Sequence, residues 1–436
     1  MNYEITDAVQ SSILPGMVKD LYYHGESNCD KQAYPVIKNN KFKLAFTNTG
    51  AGSNQFVISP DQGISDVICR LTLPAQGQNG ADYDKVYSQL GWGYSLIDEV
   101  RVRYGGSTEY VWSGAQMLAQ NLLDCENDSK KQALLSLGGA QAYPGDGPGG
   151  ANTLESATAL IYINLPHCSP RAEGKPLPFP SDLLVQPIIV TIRLKALSQV
   201  LANITGEVTG IPTQLATAEM QVNAERMTDS SDLLARREDM NTHAHTYPLK
   251  YFAQSEFTNL FPPGLESQTG VNVNLVGFRA GQVRDIMLWL EPVMPAGVGS
   301  AAQWYWQPLL NFTLTYNGEI FFTATNNAAQ LWNLVEDKKA AGLQITDINP
   351  ATGAPAGDAV FAPWTLVKFS QVDVPYDREY DLLAGKPILN AVVQTQFDLP
   401  ALPTIAGVAA TQWRLHAVYF YNSSLLMSRG SCDYVF

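Results

Sequence analysis

The chain has 436 residues, of which 45% are hydrophobic and only 16% charged, with a formal net charge of −13. A single core stops growing at roughly 250–300 residues, so this length implies two domains of about 200. The negative charge argues against a chain that wraps nucleic acid, which needs clustered Lys and Arg, and no run approaches the roughly 20 apolar residues of a membrane-spanning helix.

Residues 1–33 are polar and irregular and read as an N-terminal arm laid against a neighbour. The opening MNYEITDAVQ has neither a basic segment nor an apolar signal core, so the chain is expected to be made and used without crossing a membrane. From Pro35, PVIKNNKFKLAF, QFVISP and DVICRLTLP alternate apolar with polar residues, the period of strands with one buried face. GYSLIDEVRVRYGG continues that pattern, with Val100, Val102 and Tyr104 on one side and Arg101 and Arg103 on the other. Trp112–Leu123 and Lys130–Leu137 then carry helical spacing. Gly138–Asn152 holds six Gly and two Pro in fifteen residues, and with no G-x-x-x-x-G-K-[ST] pattern it is expected to be a surface loop rather than a phosphate cradle. ATALIYINLP and QPIIVTIRLKAL are further strands. In the connection that follows, Asp229, Ser230 and Ser231 are N-cap candidates for a short helix beginning near Asp232.

The second half repeats the first. Ser53–Pro74 and Gly270–Pro292 share an alternating strand, a Gly, an Asp, a second strand and a closing Pro. LIDEVRVRYGG matches NFTLTYNG, ATALIYINLP matches WTLVKFSQVDVP, and QPIIVTIRLKAL matches NAVVQTQFDL. The offsets, 285 − 66 = 219 between the paired Asp and 318 − 106 = 212 between the turn Gly, are close to half the chain. The expected division is an arm (1–33), a first β unit (34–215), a connecting segment (216–242) and a second β unit (243–436).

These segments carry a resemblance to the double jelly-roll major capsid proteins of large nucleocytoplasmic DNA viruses, virophages and polinton-like viruses. SLIDEVRVRYGG, with Asp98, Gly105 and Gly106, resembles the family's a-L-I-D-x-I-x-L-x-I-G-G segment. AEMQVNAERM, with Glu225 and Arg226, is similar to its strand ending in Glu-Arg. VRDIMLWLEPV, with Trp289, resembles V-K-E-L-I-W-V, and TLTYNGEIFF, with Asn317 and Gly318, resembles L-x-L-N-G-x-x-R-F. The family's Gly-Ala-x-Asp opening and its PYQ are missing, and KPILNAVV stands where its PSG-bearing stretch would be.

The resemblance implies an all-β chain of two tandem eight-stranded jelly rolls with short helices in the loops. It also implies a non-enzymatic major capsid protein, without cofactor, whose homotrimers present six similar lobes and tile an icosahedral shell. The implied partners are itself, neighbouring capsomers, minor capsid or penton proteins and, through these, an internal membrane, with no direct nucleic-acid binding. The implied location is the virion capsid, assembled inside the host cell. The alternatives are a minor capsid or vertex protein, or a carbohydrate-binding or carbohydrate-cleaving β-sandwich.

Little else in the sequence suggests chemistry. Cys29, Cys69, Cys125, Cys168 and Cys432 are an odd, scattered set without C-x-x-C and read as reduced thiols. His243 and His245 lack a carboxylate or Cys at ligand spacing and read as a solvated or locally bonded pair. His167 and Cys168 diverge on an extended chain, and Asp98 and Glu99 would point oppositely on a regular strand. Trp289 reads as core, whereas Trp304 and Trp306 could serve core or contact. The sequons at Asn127, Asn203, Asn311 and Asn422 are expected to be silent.

Overall fold

A computed structural model describes residues 37–59, 63–105, 109–125, 127–146, 150–163, 165, 181, 184–227, 234, 238–239, 241–248, 252–259, 268–275, 281–293, 309–324, 343–349, 354–361, 365–368, 386–388, 393–399, 412–422 and 424–435. The first half contains β1 (Ile37–Ala45), β2 (Gly52–Ile58), β3 (Gly63–Thr72), β4 (Val86–Tyr87), β5 (Ile97–Tyr104), β6 (Tyr110–Trp112), β7 (Thr158–Ile163), β8 (Ile188–Leu194), β9 (Ala202–Asn203) and β10 (Thr217–Met227). Eight of these form two antiparallel sheets, in the orders β1-β10-β3-β7 and β2-β8-β5-β6, while β4 pairs with β9.

The second half contains β11 (His245–Pro248), β12 (Phe252–Asn259), β13 (Gln268–Leu275), β14 (Gly281–Val293), β15 (Leu310–Tyr316), β16 (Glu319–Ala324), β17 (Leu343–Ile348) and β18 (Pro355–Phe361). It continues with β19 (Thr365–Lys368), β20 (Lys386–Ile388), β21 (Val393–Leu399), β22 (Gln412–Asn422), β23 (Ser424–Ser428) and β24 (Ser431–Val435). Its two large sheets run β12-β22-β14-β19, with β20 also beside β14, and β13-β21-β15-β16. Strand for strand, this is the order of the first half. Each half is therefore a jelly roll, two sheets folded over one another so that few edges stay bare.

The alternation read from the sequence sets which side chains go inside. In the first sandwich Val67, Cys69 and Leu71 of β3 meet Ile188, Val190 and Ile192 of β8 across the core, all fully buried. Each such aliphatic side chain contributes about 1.5–3 kcal/mol on burial. The same bulge interrupts both halves: β3 loses register with β10 just before Asp66, and β14 loses register with β22 just before Asp285. A bulge adds one residue to a strand and re-aims its neighbours, so matched bulges tie the two halves together residue by residue.

Three helices fill the loops of the first half: α1 (Trp92–Leu96), α2 (Gly114–Asp124) and α3 (Asp128–Leu137). The expected helix at Trp112 begins two residues later, because Trp112 ends β6 and the Ser113 side chain accepts the Gln116 amide at 3.1 Å as an N-cap. Helix α1 was not visible in the strand-like pattern of its segment; it is entered through Gly91 at φ 78°. Asn127 caps α3 by accepting the Lys130 amide at 2.9 Å.

Two further expectations are corrected. Residues 217–227, placed in the connecting segment, form β10, which pairs with both β1 and β3 and so completes the first sandwich. The glycine-rich stretch is not wholly a surface loop, since Gly138 and Gly139 lie against the rings of Tyr94 and Trp92. Added Cβ atoms there would approach those rings to 2.6 and 2.5 Å. Their carbonyls accept the amides of Gly93 at 2.9 Å and Gly91 at 2.7 Å. The arm, the cap candidates Asp229, Ser230 and Ser231, and any helix following β16 lie outside the described residues.

Candidate assembly interface

The two halves differ in how they use one face. In the first sandwich the outward residues of β3 (Ile68, Arg70, Thr72) are half-buried or exposed, and β10 alternates in step. With the offset of 219 set by Asp66 and Asp285, their counterparts are Met287, Trp289 and Glu291, all buried. Around them β14 and β22 are buried on both faces from Asp285 to Glu291 and from Leu415 to Tyr421.

At one end of that buried face stands a charged cluster. Glu291 is held by Arg414 across the strand pair, receives the Trp289 Nε1–H at 3.3 Å, and lies 3.4 Å from His416 Nδ1. His416 packs on Trp289 with ring centroids 4.0 Å apart. Lys195, just past β8 in the first half, lies in the field of Glu291 and Arg414. The halves also meet elsewhere: β6 lies beside β12, β5 beside β24 and α3 beside β17, and the Val185 amide donates to the Gly430 carbonyl at 3.0 Å. Burial would raise the Glu291 pKa, but Arg414 and His416 outweigh it and bring it to about 2. Burial lowers that of His416, against the pull of Glu291.

The motif residues do not form one site. Asp98, the second residue of β5, sits at a register shift between Ile97 and Glu99, and the shift overturns the expected divergence of the two carboxylates. Both reach one guanidinium, Asp98 at 2.6 Å from Arg193 Nε and Glu99 at 3.2 Å from Arg193 Nη2. Gly105 has φ 60° and faces the Gly430 carbonyl, while Gly106 lies outside the described residues. Glu225 and Arg226 are at the end of β10, opposite Asn39 and Lys38 of β1. Asn317 and Gly318, at φ 50° and 84°, make the two-residue turn between β15 and β16, the left-handed pair that suits strand twist. The Glu291 cluster was missed by sequence reading, because its members lie far apart in sequence and carry no motif.

His243 is exposed and bonds Asp239 at 2.9 Å; His245 lies in β11. Cys69 and Cys432 are free thiols that burial pushes up in pKa, and the Cys125 thiol donates to the Asn121 carbonyl at 3.2 Å. His167, Cys168, Cys29, Trp304 and Trp306 lie outside the described residues. Of the sequons, Asn127 is a cap, Asn203 is buried with its amide donating to the Thr209 carbonyl at 2.7 Å, and Asn311 donates to Asp398 at 2.5 Å. Among the described residues no helix is long and apolar enough to cross a membrane.

No family model matches the sequence, and no curated protein does. Solved structures do. A chain of the PBCV-1 virus capsid superposes with a TM-score of 0.56 at 13% identity, covering 94% of this chain and 100% of that one. A chain of the Sputnik virophage gives 0.54 at 12% identity, covering 94% and 91%. The likeness is one of fold, the double jelly roll of viral capsid chains, and it spans nearly the whole sequence.

Proposed function

We propose that this protein is a major capsid protein, a structural rather than catalytic chain, whose homotrimers form pseudo-hexagonal capsomers of an icosahedral shell. The observation that carries the reading is the exact repetition of one eight-strand order in both halves. Three copies would present six similar sandwiches around one axis, an outline that tiles a flat facet. A threefold ring is heterologous but closed, so assembly stops at the capsomer before capsomers join. Many weak contacts between capsomers would then hold the shell by avidity. Its partners would be its own copies, minor capsid or penton proteins and, through them, an internal membrane, and its place the virion. The fold likeness to capsid chains supports this reading, and so does the burial of Trp92, Trp112, Trp289 and Trp413, which makes none of these four a sugar platform.

The test is the solution mass of the purified chain by light scattering coupled to gel filtration. The expected value is about 143 kDa, three times the 47.6 kDa chain, followed by facets or shells in electron microscopy. A stable species of 47.6 kDa at all concentrations would overturn the reading.

A further inference from the structure

We propose that Glu291, Arg414, His416 and Lys195 form an acid-sensitive latch between the two sandwiches, so that a proton taken up at His416 loosens the second sandwich from the first while each stays folded. Such a latch works within a single chain and does not depend on the capsomer reading.

The cluster sits on the seam between the halves. Glu291 on β14 and Arg414 and His416 on β22 belong to the second sandwich, while Lys195 comes from the first, just past β8. Strand β12, which sets Phe257 opposite His416, lies beside β6 of the first sandwich. His416 is fully buried and Glu291 nearly so, whereas Lys195 is half-buried. One carboxylate thus serves basic side chains from both halves. Its Oε1 is taken by Arg414, and its Oε2 is shared between the Trp289 Nε1–H at 3.3 Å and His416 Nδ1 at 3.4 Å. The other carboxylate whose field acts on Lys195, Asp98 on β5, is already bound by Arg193 on β8 at 2.6 Å.

Among the described residues the charged groups facing His416 are Glu291 on β14, Arg414 on β22 and Lys195 beyond β8. With a neutral imidazole the cluster holds two cations and one anion; an imidazolium makes it three cations against the same anion. Buried charge without a matching partner is costly, so one cation must leave or be neutralised. Arg414 and His416 are fixed by the β22 ladder and Glu291 by that of β14, which leaves Lys195, already half in water, as the member that withdraws with its own sandwich. Glu291 and the Trp289 ring, whose centroid is 4.0 Å from that of His416, favour the imidazolium, but burial and the neighbouring cations prevail and hold the folded pKa below the ordinary value. Opening the seam admits water to His416 and restores a value of about 6.5. The open arrangement therefore holds the proton more tightly, and lowering the pH from 7.5 to 5.5 raises its population by up to about tenfold. Glu291, with a pKa of about 2, stays charged throughout this window.

Hydrogen exchange of the full chain at pH 7.5 and 5.5, read by mass spectrometry and corrected for the intrinsic pH dependence of exchange, separates the seam from the cores. The amides of β6, of β12 and of Ala196–Leu201 should exchange up to about tenfold faster at pH 5.5, while β3 and β21, one in each core, keep their protection. His416→Asn, which does not titrate in this range, should show no acid response at the seam; should it fail to fold, His416→Gln replaces it. A seam that exchanges equally at both pH values in wild type overturns the latch. So does a seam that quickens only in step with β3 and β21, which is loss of the whole fold, and so does an acid response that survives in the His416 variant. A trimeric chain without the acid response keeps the capsomer reading and drops the latch, whereas a monomer with it does the reverse.

Discussion

Burial by itself would raise the Glu291 carboxyl, yet the Arg414 guanidinium and the His416 ring hold its pKa at about 2. A carboxylate depressed in this way stabilises the fold above its unfolded value of about 4.5, and that contribution is lost as pH falls toward 2. His416 acts in a higher window. Its folded pKa lies below the unfolded value of about 6.5, so the unfolded chain binds the extra proton and stability falls as the solution is acidified through pH 6.5. The groups facing it among the described residues are Glu291 on β14, Arg414 on its own strand and Lys195 from the first half. Denaturant midpoints measured between pH 7 and 5 should therefore decline for wild type and decline less for His416→Asn; equal slopes would remove His416 as the cause. Glu291→Ala takes the shared carboxylate away from Arg414, whose side chain is 30% exposed, and from His416, and should cost about 1.5–3 kcal/mol at pH 7.

Among the elements, two glycines carry opposite lessons about substitution by alanine. Gly114 is the first residue of α2, where alanine is ordinarily the better helix former. Here an added Cβ would stand 2.0 Å from the Tyr94 carbonyl and 2.3 Å from that of Ile97, so α2 would have to leave the chain it packs on. Gly318 has nothing within 4 Å of an added Cβ, and only its φ of 84° resists. Gly318→Ala should cost about 1 kcal/mol, and Gly114→Ala distinctly more, upward of about 2 kcal/mol. Thermal midpoints of the two variants decide this, and a smaller loss at Gly114 would show that α2 shifts freely. The strands were legible in sequence because each sheet has one wet face, as in Val100, Arg101, Val102 and Arg103. Helix α1 was not, because its five residues lie inside an apolar stretch that continues into β5 without a break in pattern. The last strand of the first unit was misplaced for a related reason: TAEMQVNAERM alternates, but its partners β1 and β3 are 145 or more residues away in sequence, 217 − 72 = 145 at the nearest pair.

At the scale of the molecule, the main cluster of buried apolar side chains runs unbroken from Phe46 in the first sandwich to Cys432 in the second. Units sharing a core melt together, whereas units joined only by a linker melt apart. Calorimetry of the chain should give a single endotherm, and Phe312→Ala, in the second core, should move all of it rather than split it. Two resolved transitions with only one displaced would show that the sandwiches unfold independently.

The duplication, the sheet faces and the strand-by-strand match of the halves were present in the sequence, since period-2 alternation and its repeat near half the chain are local patterns that survive without contacts. The placement of Trp289 in a core was legible for the same reason. What tertiary structure alone decided is which outer face is covered. Ile68 and Met287, or Arg70 and Trp289, occupy the same position in two copies of one unit, and burial distinguishes them only because one unit has the other beside it. The Glu291–Arg414–His416 cluster likewise arises from two strands more than a hundred residues apart being set in register, a long-range pairing that no local pattern encodes.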